Sequence, residues 1–268
     1  ELELLRLSSP LLQAPKAATV NANDAFIRAI VSKNDVYEQE GFTVTFRLYT
    51  TLNITNLGKI EFPEFEGFMV EEVAIASNQQ LQMERYNGRN YYTADLKKTL
   101  LFPQRSGKIT IPSGKLEMVF SVPSGKRVST FFGTQEVMAD VKKALVTNPL
   151  TVNVKPLPDG KPLNFSNAVG TFTFTPSIST QQTRANEPVT VSVEISGTNN
   201  FQVTTNGLTG SRKIEYLAIP RYEGSYDIPP VEFSYFDLNT HSYKTLKSSG
   251  YSLQIAKGDP GKASASSY

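Results

Sequence analysis

One motif occurs twice in this chain. Leu100-x-Phe102-Pro103-x-x-x-Gly107-x-x-x-Ile111-Pro112 returns as Leu217-x-Ile219-Pro220-x-x-x-Gly224-x-x-x-Ile228-Pro229. Beyond the second proline, Leu116 and Met118 align with Phe233 and Tyr235. Upstream, the stretch from Glu40 to Leu48 parallels the stretch from Glu187 to Ile195. An internal repeat of this size implies tandem copies of one structural unit. It predicts equivalent places for Pro103, Gly107, Ile111 and Pro112 and for Pro220, Gly224, Ile228 and Pro229. Both glycines are expected in turns at positive φ, which glycine adopts without steric cost, and both isoleucines are expected to be buried.

The periodicity within each copy is two. Phe42, Val44, Phe46 and Leu48 alternate with Thr43, Thr45 and Arg47, and Val189, Val191, Val193 and Ile195 alternate with Thr190, Ser192 and Glu194. That is the pattern of a strand with one buried face. Further strands are expected at 25–31, 68–75, 91–102, 108–111, 116–122, 150–154, 169–174, 213–219, 231–236 and 251–255. Asn87-Gly88, Ser106-Gly107, Ser113-Gly114, Asp159-Gly160, Asn206-Gly207 and Glu223-Gly224 punctuate them as turns. Many short strands with this punctuation predict antiparallel β-sandwiches. One helix is expected over Gln135–Leu145, where Val137, Val141, Ala144 and Leu145 fall at helical spacing between Thr134 as cap and Asn148-Pro149 as stop.

The expected organisation is therefore a remnant of something earlier over 1–23, a first sandwich over 24–156, a second over 157–258 and a tail over 259–268. Lys155-Pro156-Leu157-Pro158-Asp159-Gly160-Lys161-Pro162 reads as an extended, fairly stiff connector with few contacts. The copies differ in length. Glu40 and Gly107 are 67 residues apart and Glu187 and Gly224 are 37 apart, a deficit of 30. It falls between the strand ending near Ile195 and the one starting near Lys213. A further segment missing from the sequence near 197–201 is one reading, and a reduced second sandwich whose edge must be covered by something else is the other. The ends are expected to be those of a fragment or mature form of a longer protein.

Composition narrows the chemistry. Cysteine is absent and there is one histidine, which excludes disulfides, Cys-ligated zinc and any multi-histidine metal site. The formal net charge is +2, with Lys and Arg dispersed, so nucleic acid is not an expected partner. His241 is the only possible imidazole base, and it lies in a polar stretch that reads as a solvated hairpin loop. No nucleophile elbow, P-loop or dinucleotide fingerprint occurs. The expectation is a chain with no catalytic residues, no metal and no cofactor. Glu61, Glu64, Glu66, Glu71 and Glu72 read as a solvated acidic edge, without the Asp-and-Gly loop of a calcium site. The tyrosines, Tyr86, Tyr91 and Tyr92 in the first copy and Tyr216, Tyr222, Tyr226, Tyr235, Tyr243 and Tyr251 in the second, suit cores and cross-strand pairs or, less commonly, a ligand platform. Phe62, Phe65 and Phe68, set among charges with Pro63 and Gly67, are either an edge strand folded over the sandwich or an exposed aromatic interaction patch.

Taken in order, Ile60–Phe68, Tyr86-Asn87-Gly88, the Leu100–Pro112 motif, Val154-Lys155-Pro156-Leu157-Pro158, Ala168-Val169-Gly170, Ala218–Gly224 and Tyr235-Phe236-Asp237 resemble the BatD family of aerotolerance (oxygen-tolerance) proteins. The resemblance runs from about Ala25 to Ile255. It implies immunoglobulin-like β-domains in the bacterial periplasm, a membrane anchor in the full-length protein, and action beside von Willebrand A-type inner-membrane proteins and a MoxR-type ATPase. The function expected is a non-catalytic protein-interaction or scaffolding module of that membrane-associated system. A cell-surface adhesin or stalk is the alternative, and a glycan-binding module a more distant one.

Overall fold

The computed structural model describes residues 18–75, 81–131, 133–198 and 209–258. Among them every regular element is a strand. The first group is β1 (Ala25–Val31), β2 (Asp35–Tyr37), β3 (Phe42–Thr50), β4 (Asn53–Glu61), β5 (Phe68–Val73), β6 (Gln82–Tyr86), β7 (Arg89–Pro103), β8 (Gly107–Ile111), β9 (Lys115–Thr130), β10 (Gly133–Val146) and β11 (Leu150–Lys155). The second is β12 (Phe165–Ile178), β13 (Gln182–Arg184), β14 (Val189–Thr198), β15 (Thr209–Ala218), β16 (Gly224–Ile228), β17 (Glu232–Asp237), β18 (Ser242–Lys247) and β19 (Tyr251–Ala256).

In the first group β1-β3-β7-β5 form one sheet, with β6 also on β7. Opposite lies a long hairpin: β8 and β9 run one way, β10 and β11 return, β2 flanks β11 and β4 flanks β9. The inward residues of β3 (Phe42, Val44, Phe46, Leu48) and of β9 (Leu116, Met118, Phe120, Val122) fill the core between them. Each large side chain removed from water there contributes about 1.5–3 kcal/mol. The β6–β7 turn is Asn87-Gly88 with both residues at positive φ, the geometry that matches strand twist in a two-residue hairpin.

The second group repeats eight strands of this plan. β12, β14 and β15 correspond to β1, β3 and β7; β13, β19 and β16 to β2, β11 and β8; β17 and β18 to β9 and β10. The hydrogen bonds repeat too. Gln39 N–H donates to the Pro103 carbonyl at 2.9 Å and Asn186 N–H to the Pro220 carbonyl at 2.7 Å. Tyr37 N–H meets the Glu40 carboxylate at 2.9 Å, and Arg184 N–H the Glu187 carboxylate at 3.2 Å. Gly107 and Gly224 have the positive φ expected, 103° and 145°, but stand as the first residues of β8 and β16 rather than in the turns before them. Ile111 is buried, but Ile228 is only half-buried, because the core beneath it is a small cluster of Ala185, Val189, Leu253 and Ile255.

The second group has no counterpart of β4, β5 or β6 among the described residues. Instead the start of β12 pairs in parallel with β17, from Phe165↔Ser234 to Gly170↔Asp237, which joins β15-β14-β12-β17-β18 into one five-stranded sheet. It takes the side of β17 that β4 takes on β9. β14 and β15 pair directly, from Val189↔Ala218 to Thr198↔Thr209. The segment expected near 197–201 falls largely on residues 199–208 and lies outside the described residues.

The expected helix over Gln135–Leu145 is not formed. Those residues belong to β10, antiparallel to β9 from Gly133↔Thr130 to Val146↔Lys115 with one bulge between Glu136 and Met138. Val137, Val141 and Leu145 satisfy a period of two as well as one of 3.6, and Val137, Ala139, Val141 and Leu145 turn inward while Ala144 is exposed. The available β9 edge decides between the two periods. Asn148, expected as a helix stop, accepts from Ala29 N–H at 3.0 Å and donates to the Ala29 carbonyl at 3.1 Å. Strands β2, β4, β6, β13 and β18 carry too few apolar residues to stand out in the sequence.

Candidate interaction surfaces

No strand of the first group pairs with one of the second among the described residues, yet the groups touch. Tyr37, at the end of β2, lays its ring against Phe236 of β17 with centroids 5.0 Å apart. It lies against the His241 ring at 5.7 Å, and its hydroxyl is 3.3 Å from His241 Nδ1. Beneath it Leu157, Val169 and Phe236 form a buried cluster, and Tyr243 donates to the Pro158 carbonyl at 2.8 Å. Burial first, then the nearby Asp159 and Glu38 carboxylates, push the Tyr243 hydroxyl up. His241 is exposed in the β17–β18 turn, as expected, and its ring also meets Tyr37. One expectation changes here: the connector has no helix but is not poor in contacts, since it buries Leu157. The Tyr37–His241 contact has no local signal, since its partners are 204 residues apart, and the burial of Leu157 depends on Phe236 and Tyr37, both distant in the sequence.

Asp237 anchors the loop that presents His241. Its carboxylate accepts from Asn239 N–H at 2.8 Å, Thr240 N–H at 3.1 Å and Lys244 Nζ at 2.6 Å. Burial alone would raise this carboxyl, but the Lys244 bond and the two backbone donors outweigh it and hold it below its ordinary value. In the first group Arg47 bridges Asp95 at 2.6 Å and Glu84 at 3.1 Å, with Tyr49 donating to Glu84 at 3.0 Å. The hydrogen bond to Asp95 leads in raising the guanidinium's affinity for its proton, and burial followed by the Glu84 bond raises the Tyr49 hydroxyl. This network ties β3, β6 and β7 together on the sheet surface.

Phe62, Phe65 and Phe68 do not form an open patch. Phe68 is buried against Phe42 at 5.7 Å, and Phe62 and Phe65 are half-buried, 5.0 and 6.5 Å from Phe46. Phe62 keeps one face on a surface groove of about 450 Å³ that it shares with Glu72, Val73, Leu96 and Lys97. Glu61 and Glu72 pair with Lys59 and Lys97, in keeping with a solvated edge. Among the described residues no group of three or more His, Asp or Glu gathers as a metal site, and no helix is long and apolar enough to cross a membrane.

The surface that sequence reasoning missed is on the second group. Tyr216 and Leu217 are 58% and 67% exposed on opposite faces of β15, and Ile219, Tyr222 and Tyr226 beyond it are exposed as well. Beside β15 lies a groove of about 340 Å³ whose walls include Phe172, Phe174, Ile214, Tyr216, Val231 and Phe233. In the first group Thr99 and Lys97 of β7 hold the positions that match Tyr216 and Ile214, and there Thr99 is fully buried and Lys97 half-buried. The signal that could have found this surface was the length deficit, which removes the strands that cover β7.

A family model described as the BatD DUF11-like domain matches residues 29–154 and 171–255, one segment in each group of strands. No curated protein matches the chain.

Proposed function

The chain belongs to the BatD family, and on that footing we propose that it is a non-catalytic module that scaffolds a membrane-associated oxygen-tolerance complex in the bacterial periplasm. We read each group of strands as an immunoglobulin-like sandwich. In the first, the β1-β3-β7-β5 sheet packs on the long hairpin flanked by β2 and β4. The second is a reduced copy.

The observation that carries this reading is the joint at Tyr37. Two copies of one β-unit meet through an edge-to-face ring pair, a side-chain contact and a buried connector residue. A body of that kind presents edges and loop ends at a set spacing, which suits strand addition or patch contact with protein partners. The partners we propose are von Willebrand A-type inner-membrane proteins, with the full-length protein anchored beside them.

Crosslinking on native membranes followed by purification of this protein tests the proposal. Enrichment of A-domain inner-membrane proteins is the expected result. Enrichment of host or matrix proteins instead would favour a surface adhesin. A hydrolytic activity of the purified chain that disappears in His241→Ala would overturn the non-catalytic reading.

A further inference from the structure

β15 has β14 on one side and no strand on the other among the described residues. On β7, the corresponding strand, that second side carries β5, paired from Phe68↔Pro103 to Val73↔Lys98. An open edge with exposed apolar side chains is a template for another strand. The sequence of β15 says which strand fits. Arg212, Ile214 and Tyr216 lie opposite Ile195, Val193 and Val191 and so share their inward face, while Ser211, Lys213, Glu215 and Leu217 share the outward face.

We propose that the occupant is a second copy of this chain, with the two β15 strands paired antiparallel across a twofold axis at Ile214. A twofold axis normal to the sheet brings inward residues opposite inward residues and outward opposite outward. Centred on Ile214, it sets Lys213 opposite the partner's Glu215 and Glu215 opposite the partner's Lys213. On the inward face, Ile214 meets the partner's Ile214 and Arg212 meets the partner's Tyr216, a cation facing an aromatic ring. Moving the axis one residue toward the N-terminus puts Lys213 against the partner's Lys213. Moving it one residue toward the C-terminus puts Glu215 against the partner's Glu215. Like charges directly opposite are destabilising, so the charges select one register. The apolar grooves beside the two β15 strands then become a continuous trough across the axis, and the half-covered Ile214 and Tyr216 lose contact with water. This pairing is independent of the other partners proposed above.

Sedimentation equilibrium of the 268-residue chain tests it. The chain is expected to dimerise. Lys213→Glu and Glu215→Lys, both on the exposed face, are each expected to weaken the dimer by about tenfold or more, because each places two like-charge contacts across the axis. Mixing the two variants in equal amounts restores both attractive pairs and is expected to return a heterodimer of nearly the original affinity. Circular dichroism confirms that each variant is folded. A chain that stays monomeric overturns the proposal, as does a dimer indifferent to both substitutions or a mixture that remains monomeric. A monomeric chain that captures a strand of a different protein on β15 also overturns it.

Discussion

The Tyr37 hydroxyl sits 3.3 Å from Nδ1 of His241, a residue 204 positions away and the chain's only histidine. With the Phe236 ring 5.0 Å from Tyr37, this contact joins the two copies of the repeat. Aromatic pairs of this kind contribute about 0.5–1.5 kcal/mol beyond their buried area. Tyr37→Ala is therefore expected to broaden the distribution of angles between the two halves in solution scattering, with His241→Ala giving a smaller change. An unchanged scattering profile in Tyr37→Ala would show that the contact does not hold the joint.

The connector prolines act in a chain segment that is also pinned by Leu157 and by the Tyr243–Pro158 bond. Replacing Pro156 and Pro158 by Gly frees backbone states that proline removes. The double substitution is expected to broaden the angular distribution less than Tyr37→Ala does, and the triple variant more than either. A linker variant that scatters like a freely jointed pair with Tyr37 intact would reverse that order.

Asp237 gives a pH dependence of known sign. Its folded carboxyl is held below the ordinary value of 3.8 by Lys244 and two backbone N–H groups that outweigh burial. A lowered folded pKa contributes stability that is present above the unfolded value and lost as pH falls through the folded one. Asp237→Asn is expected to cost about 1–3 kcal/mol near neutrality, from the charge-assisted bonds lost. The gap between the two proteins should narrow below about pH 4. Denaturant titrations at neutral and acid pH measure both values, and a gap that widens in acid would contradict the assignment.

Glu40 and Glu187 close equivalent turns, but Glu40 is buried and also binds Lys33 at 2.6 Å, while Glu187 holds Thr183 at 2.8 Å in a half-buried site. Glu40→Ala takes a buried acceptor away from the part-buried Tyr37 N–H and from Lys33, and is expected to cost about 1–3 kcal/mol. Glu187→Ala should cost less. Thermal unfolding of the two variants ranks them.

Gly197 packs so closely on β12 that a Cβ would lie 2.4 Å from the Thr171 carbonyl oxygen and 2.6 Å from the Phe172 ring. Backbone cannot yield as a side-chain tip can, so Gly197→Ala is expected to destabilise the second unit by about 1–3 kcal/mol. Unfolding at wild-type denaturant concentration would show that β12 and β14 can separate there.

Much of the fold was legible. The alternation along β3 and β14, the Asn87-Gly88 turn and the repeated Pro-x-x-x-Gly-x-x-x-Ile-Pro motif are local patterns, and local patterns encode strand faces and turns. Gln135–Leu145 reads as a helix from sequence because its valines satisfy two periods at once, and only the β9 edge distinguishes them. Phe62, Phe65 and Phe68 show the same limit, since the sequence marks them as apolar but not which way an edge folds.

The sequence by itself determined an all-β chain built from two copies of one unit, the family it belongs to, and the shortness of the second copy. Tertiary structure decided how that shortness is handled. The start of β12 crosses to β17, β15 has no strand on its second side among the described residues, and Tyr37 reaches His241 across the connector. Periodicity fixes which residues of a strand point inward, because it is a property of neighbouring residues. Which strand lies alongside depends on contacts between residues far apart in the chain, and no local pattern records those.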